Sequence, residues 1–134
     1  MAVESLRLQW PGWDRFLLWS CAVFHAVIGF TLAFAPLDQI YNAGTRPVFE
    51  IGSRYFWAAW FAVAAGATVS LLHKRTTLTQ LVTWFTVLPL GGMWWLAFVL
   101  AVVSGRGSAI GVVVWVALYV PWGTAGLRMA LGKR

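Results

Sequence analysis

The chain has 134 residues, 60% of them hydrophobic and 10% charged, with ten Lys and Arg against four Asp and Glu and a net charge of +6. Soluble domains carry about 25% charge, so this composition excludes an ordinary water-facing globule and predicts an integral membrane protein. At about 20 apolar residues per span, there is room for four helices and for no separate catalytic domain, and the single cysteine, Cys21, excludes an internal disulfide framework.

Residues 1–15 form a short N-terminal segment in which Trp10 and Trp13 flank Pro11-Gly12, a pattern that predicts a stretch lying along a membrane interface. The first span is expected over 16–36, an apolar run about 30 Å long as a helix, closed by Pro36. Ala33-Phe34-Ala35 has the small-x-small form of a leader cleavage site, and Leu18-Trp19-Ser20-Cys21 loosely has the form of a lipoprotein box. The run exceeds the usual 7–15 residues of a leader, and Trp19 is bulky where a lipoprotein has a small residue, so a retained span is expected.

Residues 37–54 hold two of the four acids, two arginines and an Asn42-Ala43-Gly44 turn, and are expected as the external loop. A second span follows over 55–72, then a basic turn over 73–79 beginning His73-Lys74-Arg75, a third span over 80–103, a hairpin turn over 104–108, a fourth span over 109–127 and a basic tail over 128–134. Short connections place successive spans antiparallel. The expected fold is therefore a single all-α membrane domain over 1–134, an antiparallel four-helix transmembrane bundle with both termini on the same side. Arg7, Arg15, Lys74, Arg75, Arg128, Lys133 and Arg134 fall on that side and only Arg46, Arg54 and Arg106 on the other, which makes it the cytoplasmic one. The localisation expected is the cytoplasmic (inner) membrane. Arg15 with Trp19, and Arg54 with Tyr55 and Trp57, put a cation and aromatics at a span entrance and read as interfacial anchors.

Chemistry has little to work with. Glu4, Asp14, Asp38 and Glu50 all fall outside the expected hydrocarbon core, no pair is spaced for a metal, no Gly-rich loop opens a helix, and the two histidines lie on different spans. A non-enzyme without cofactor or metal is expected. The cations sit at helix ends, so their expected partners are anionic lipid headgroups on the cytoplasmic face of the bilayer and not nucleic acid.

Four features remain. His25 is the one ionisable group expected deep in a span, which makes it a functional candidate by default. With Cys21 one turn away it has the spacing of a ligand pair, but the favoured reading is an imidazole hydrogen-bonded to a neighbouring helix. Ala58, Ala62, Gly66 and Ser70 repeat every fourth residue, a small-residue seam that lets another helix approach, preferentially one of the same chain. Thr76, Thr79, Thr83 and Thr86 share one polar face; lining a wet lumen is the functional reading, and bonding of the hydroxyls to helix carbonyls is the favoured one. Pro89 and Pro121 lie mid-span beside glycines and predict kinks.

Trp13-Asp14-Arg15, a central His25-Ala-Val-Ile-Gly29, Ala35-Pro36, Tyr41 in the loop, Tyr55-Phe-Trp57 opening a Gly- and Ala-rich span, and the hairpin Ser104-Gly-Arg-Gly-Ser108 occur in this order. As an architecture over the whole length, the chain resembles the small four-span membrane proteins of phages infecting actinobacteria, including the mycobacterial four-span phage holins. The resemblance implies accumulation in the inner membrane followed by oligomerisation into lesions; by residue type, Ala58, Ala62, Gly66 and Ser70 are suited to joining copies and Thr79, Thr83 and Thr86 to facing water in such an assembly. Two alternatives stand beside it: a non-catalytic accessory or exclusion subunit that binds another membrane protein, and a bundle that holds a hydrophobic ligand.

Overall fold

The computed structural model describes residues 11–42, 44–107 and 109–131, and among them the chain is all-helical. Four long helices, α1 (Pro11–Phe34), α4 (Arg54–His73), α5 (Thr77–Val103) and α6 (Ala109–Leu131), are each long and apolar enough to cross a membrane. Two short ones, α2 (Leu37–Ile40) and α3 (Arg46–Ile51), lie in the segment expected as the external loop. Most of the expected N-terminal interfacial segment (1–10, with Glu4, Arg7 and Trp10), Ser108 of the hairpin, and Lys133 and Arg134 of the tail lie outside the described residues.

Local chemistry sets the helix ends. Ser53 caps α4 by accepting the Phe56 N–H at 3.2 Å. Thr76 and Thr79 form a capping box at the start of α5, each hydroxyl accepting the other residue's backbone N–H. The helix therefore begins at Thr77, three residues before the expected start of the third span, because this reciprocal pair satisfies the first backbone donors there. At the other end of α5, Gly105 takes φ +71°, the Arg106 N–H bonds the Ala101 carbonyl at 2.8 Å and the Gly105 N–H bonds Val102 at 3.0 Å. This Schellman-type stop turns the chain towards α6. The sixth helix itself runs on to Leu131, four residues beyond the expected end of the fourth span.

The exposed carbonyls at the end of α1 are capped from a distance. Arg54 Nε donates to the Leu32 carbonyl at 2.6 Å, and its Nη2 donates to the carbonyl of Ala35. A cation there also complements the negative end of the helix dipole. Arg54→Gln is expected to lower the unfolding free energy by about 1–2 kcal/mol, since charge-assisted bonds to unsatisfied carbonyls are lost; an unchanged unfolding midpoint in detergent would show that the cap contributes nothing.

The long helices form a closed ring of neighbours, α1 against α4, α4 against α5, α5 against α6 and α6 back against α1, with α3 resting on α5. Helices α1 and α4 approach closely at Gly29, where a Cβ would stand 3.1 Å from the Ala58 carbonyl oxygen and 3.3 Å from the Ala62 nitrogen. The ring encloses Cys21, Trp57, Phe61, Val87, Leu90, Trp94, Trp115 and Trp122. At one end, Arg128 grips the Asp14 carboxylate with two nitrogens, at 2.6 and 3.0 Å, and Trp19 meets the His73 ring edge-on. The start of α1, the end of α4 and the end of α6 are thus together.

Candidate functional site

The centre of the ring is built on His25, which α1 holds at 0% exposure. Its Nδ1 lies 2.7 Å from the Cys21 carbonyl oxygen, one turn back, and 3.6 Å from the Cys21 sulfur. A carbonyl can only accept, so Nδ1 carries a hydrogen, and in the neutral ring Nε2 is left with a lone pair. The Tyr119 hydroxyl of α6 is 2.7 Å from that Nε2 and donates to it. Phe24, Phe61 and Trp122 surround the imidazole with ring centroids 5.4–5.6 Å away. Both nitrogens are therefore engaged inside the protein, and Cys21 adds no second free ligand in line with them.

From Tyr119 a run of aromatic rings leads across the bundle. Tyr119 stacks on Trp115 at 5.2 Å, Trp115 on Trp94 at 6.1 Å, Trp94 meets Trp57 edge-on at 5.9 Å, and Trp57 stacks on Trp60 at 5.7 Å. Three of the indoles bond across elements: Trp57 to the Val48 carbonyl at 2.7 Å, Trp60 to Thr86 at 2.9 Å, and Trp122 to the Ser20 hydroxyl at 2.9 Å. Among the described residues two buried side-chain nitrogens have no partner, Trp94 Nε1 and Gln80 Nε2.

Several sequence expectations change here. Trp57, expected as an interfacial anchor, is fully buried; its indole N–H reaches α3, which folds back over the start of α4 and makes that position core. Arg54 is a helix cap as well as a cation at a span entrance. Arg15, Trp19 and Tyr55 are exposed at the helix ends, and Tyr55 has the Arg54 guanidinium 5.7 Å from its ring.

The small-residue row on α4 does not form one seam. Ala58 is buried against α1, the backbone of Ala62 touches the Gly29 position, and Gly66 and Ser70 are exposed, with nothing within 4 Å of a Cβ placed on Gly66. Four residues overshoot a full turn by about 40°, so three such steps carry the row from the inner face to the outer one.

The threonines are similarly divided. Thr76 and Thr79 belong to the cap; Thr83 is buried and bonds the Ala67 and Thr79 carbonyls at 2.9 and 2.7 Å; Thr86 bonds Val82 at 2.8 Å. Thr79 donates to the Lys74 carbonyl at 2.6 Å. These hydroxyls have acceptors within the chain and need no water.

Helices α5 and α6 both continue through Pro89 and Pro121. Between them runs a groove in two parts. One of about 250 Å³ is bounded by Gly91, Gly92, Trp95, Trp115 and Tyr119; the other, of about 300 Å³, by Thr77, Gln80, Trp84, Gly123 and Leu127; Leu88 lines both.

Tyr119, Trp115 and Trp122 were not singled out in the sequence, although their four-then-three spacing marks one helix face. Gln80 stands among the threonines of α5 and has no separate signal in the sequence. No group of three His, Cys, Asp or Glu that could hold a metal occurs among the described residues.

Fold and site together define a small chain, all-helical among the described residues, with four helices able to cross a membrane, closed around a tryptophan-rich centre in which buried His25 bonds part-buried Tyr119. Compared with known proteins, the chain matches no family model, no curated sequence and no solved structure.

Proposed function

We propose that the chain is a multi-pass protein of a cytoplasmic membrane, an antiparallel four-helix transmembrane bundle that self-associates and permeabilises that membrane in the manner of a holin. Both termini and the basic turn at 73–79 face the cytoplasm, in keeping with the excess of Lys and Arg at that end. The observation that carries the reading is the outer face of α4. Gly66 and Ser70 are exposed there next to open space, and helices in lipid associate by close backbone approach at such small residues. Only 22–50% of each span is buried within the chain, which leaves broad apolar faces for lipid or for further copies. The hydroxyls of Thr83 and Thr86, engaged with carbonyls in the single chain, become pore lining only if assembly re-routes those bonds, so the association is assigned to α4 and not to the threonine face.

The test is induced expression with a potential-sensitive dye. Wild type is expected to depolarise the membrane and halt growth, and Ala62→Leu combined with Gly66→Leu is expected to delay depolarisation at least tenfold and to remove the cross-linked oligomer. Normal growth at high wild-type expression would sink the proposal.

A further inference from the structure

We propose that the groove between α5 and α6 is a binding site for one anionic phospholipid, with an acyl chain lying along it and Gln80 donating to an ester or phosphate oxygen of the headgroup. This rests on the reading that the four helices span a bilayer.

The shape fits a chain and not a compact ligand. The two parts of the groove meet at Leu88. From Gln80 to Trp95 the line along α5 is about 22 Å at the rise of a helix, longer than one leaflet of a hydrocarbon core about 30 Å thick. The walls are nearly all carbon, and Gly92 and Gly123 widen them: nothing stands within 4 Å of a Cβ at either position. The Tyr119 hydroxyl does not call for a polar ligand at the deep end, because it is spent on His25.

The polar requirement lies at the shallow end. Gln80 lines that part of the groove about one turn inside the start of α5, at the depth of a lipid ester, and its Nε2 is buried without a hydrogen-bond partner. An unsatisfied buried donor costs about 1–3 kcal/mol. The group that relieves it must be an acceptor, as ester and phosphate oxygens are. Charge at the same end selects an anion. Arg15, Lys74 and Arg128 gather there against one carboxylate among the described residues, Asp14, which already pairs with Arg128. At the opposite end Arg46, Arg54 and Arg106 face Asp38 and Glu50, and Arg54 is committed to the carbonyls of α1. Juxtamembrane cations of this kind attract anionic headgroups, and here they border the only mouth of the groove that also holds an unpaired amide among the described residues.

The experiment uses the full chain in mild detergent, incubated with equal amounts of phosphatidylglycerol and phosphatidylcholine and read by native mass spectrometry. Wild type is expected to retain one phosphatidylglycerol per chain, at least tenfold over phosphatidylcholine. Gly92→Leu and Gly123→Leu, which put a side chain where a Cβ meets nothing within 4 Å, should each lower retention at least tenfold while the helical circular dichroism is unchanged. Gln80→Leu should lower phosphatidylglycerol retention about fivefold, and Gly66→Leu, on the outer face of α4, should leave it as in wild type. Equal retention of the two lipids, or wild-type retention in Gly123→Leu, overturns the site. Loss of oligomers and not of lipid in the groove variants overturns it as well, and makes the groove the seat of a second copy. Extraction of native membranes with alkaline carbonate separates the two levels: a chain released by carbonate refutes the bilayer reading itself, whereas a chain that stays embedded with a negative lipid result refutes only the site.

Discussion

Gly91→Val is expected to cost the bundle about 2–4 kcal/mol, whereas Gly92→Val, one residue along, costs less than about 0.5 kcal/mol. Both residues are glycines in the same helical turn after Pro89, so propensity and backbone freedom act alike on the two. Their surroundings differ completely. A Cβ on Gly91 would collide with the Tyr119 ring, and a Cβ on Gly92 would meet nothing within 4 Å. Tyr119 is held by Trp115, stacked on one side of it, and by His25 on its hydroxyl at 2.7 Å, so a shift of the ring into the groove forfeits both contacts. Overpacking a close-packed centre costs about 1–3 kcal/mol, and the displaced ring also forfeits an interhelical hydrogen bond worth about 0.6 kcal/mol on average and up to about 1.7 in a membrane bundle. Reversible unfolding in mixed micelles, followed by circular dichroism, measures both variants. Equal losses would mean that the contact of Gly91 with Tyr119 does not hold α5 to α6.

The same turn shows how far the sequence could be read. Four long helices were legible because apolar runs of span length are bounded by Pro36, by His73-Lys74-Arg75 and by Ser104-Gly105, and each of these signals acts within a few residues. The start of α5 is not legible to within a turn because the spacing of Thr76 and Thr79 serves a polar stripe and a capping box equally well, and only the hydrogen bonds distinguish the two uses. The α4 row reads as one seam in sequence, but four-residue spacing drifts around the helix by about 40° per step. Trp57 looked interfacial because it follows Arg54-Tyr55-Phe56, and nothing local says that α3 returns to cover it. The partner of His25 was the least legible: Tyr119 is 94 residues away, and which faces of α1 and α6 meet depends on the packing of all four helices. Its trace was a stripe, Trp115, Tyr119 and Trp122, that marked a buried face without saying what it touched.

Tyr119→Phe is expected to lower the unfolding free energy by about 1–3 kcal/mol while removing one atom and leaving the ring in place, because Nε2 of His25 then stays buried with an unsatisfied lone pair. His25→Leu leaves the Tyr119 hydroxyl without its partner beside Trp115 and Trp122 in the same way. The double variant strands neither, so its cost should fall short of the sum of the two single costs by about 1 kcal/mol, within the range for hydrogen bonds between helices in lipid. Additive costs would mean that the pair contributes nothing beyond packing. The donor assignment has its own readout: 15N spectra of labelled protein should show the hydrogen of His25 on Nδ1, as its 2.7 Å contact with the Cys21 carbonyl requires, and the resonance is assigned by comparison with His73→Gln. In Tyr119→Phe that hydrogen should remain on Nδ1, since the carbonyl of the preceding turn is untouched. A shift of the hydrogen to Nε2 in the wild-type protein would reverse the direction of the bond to Tyr119, and with it the conclusion that the tyrosine hydroxyl is unavailable to a ligand in the groove.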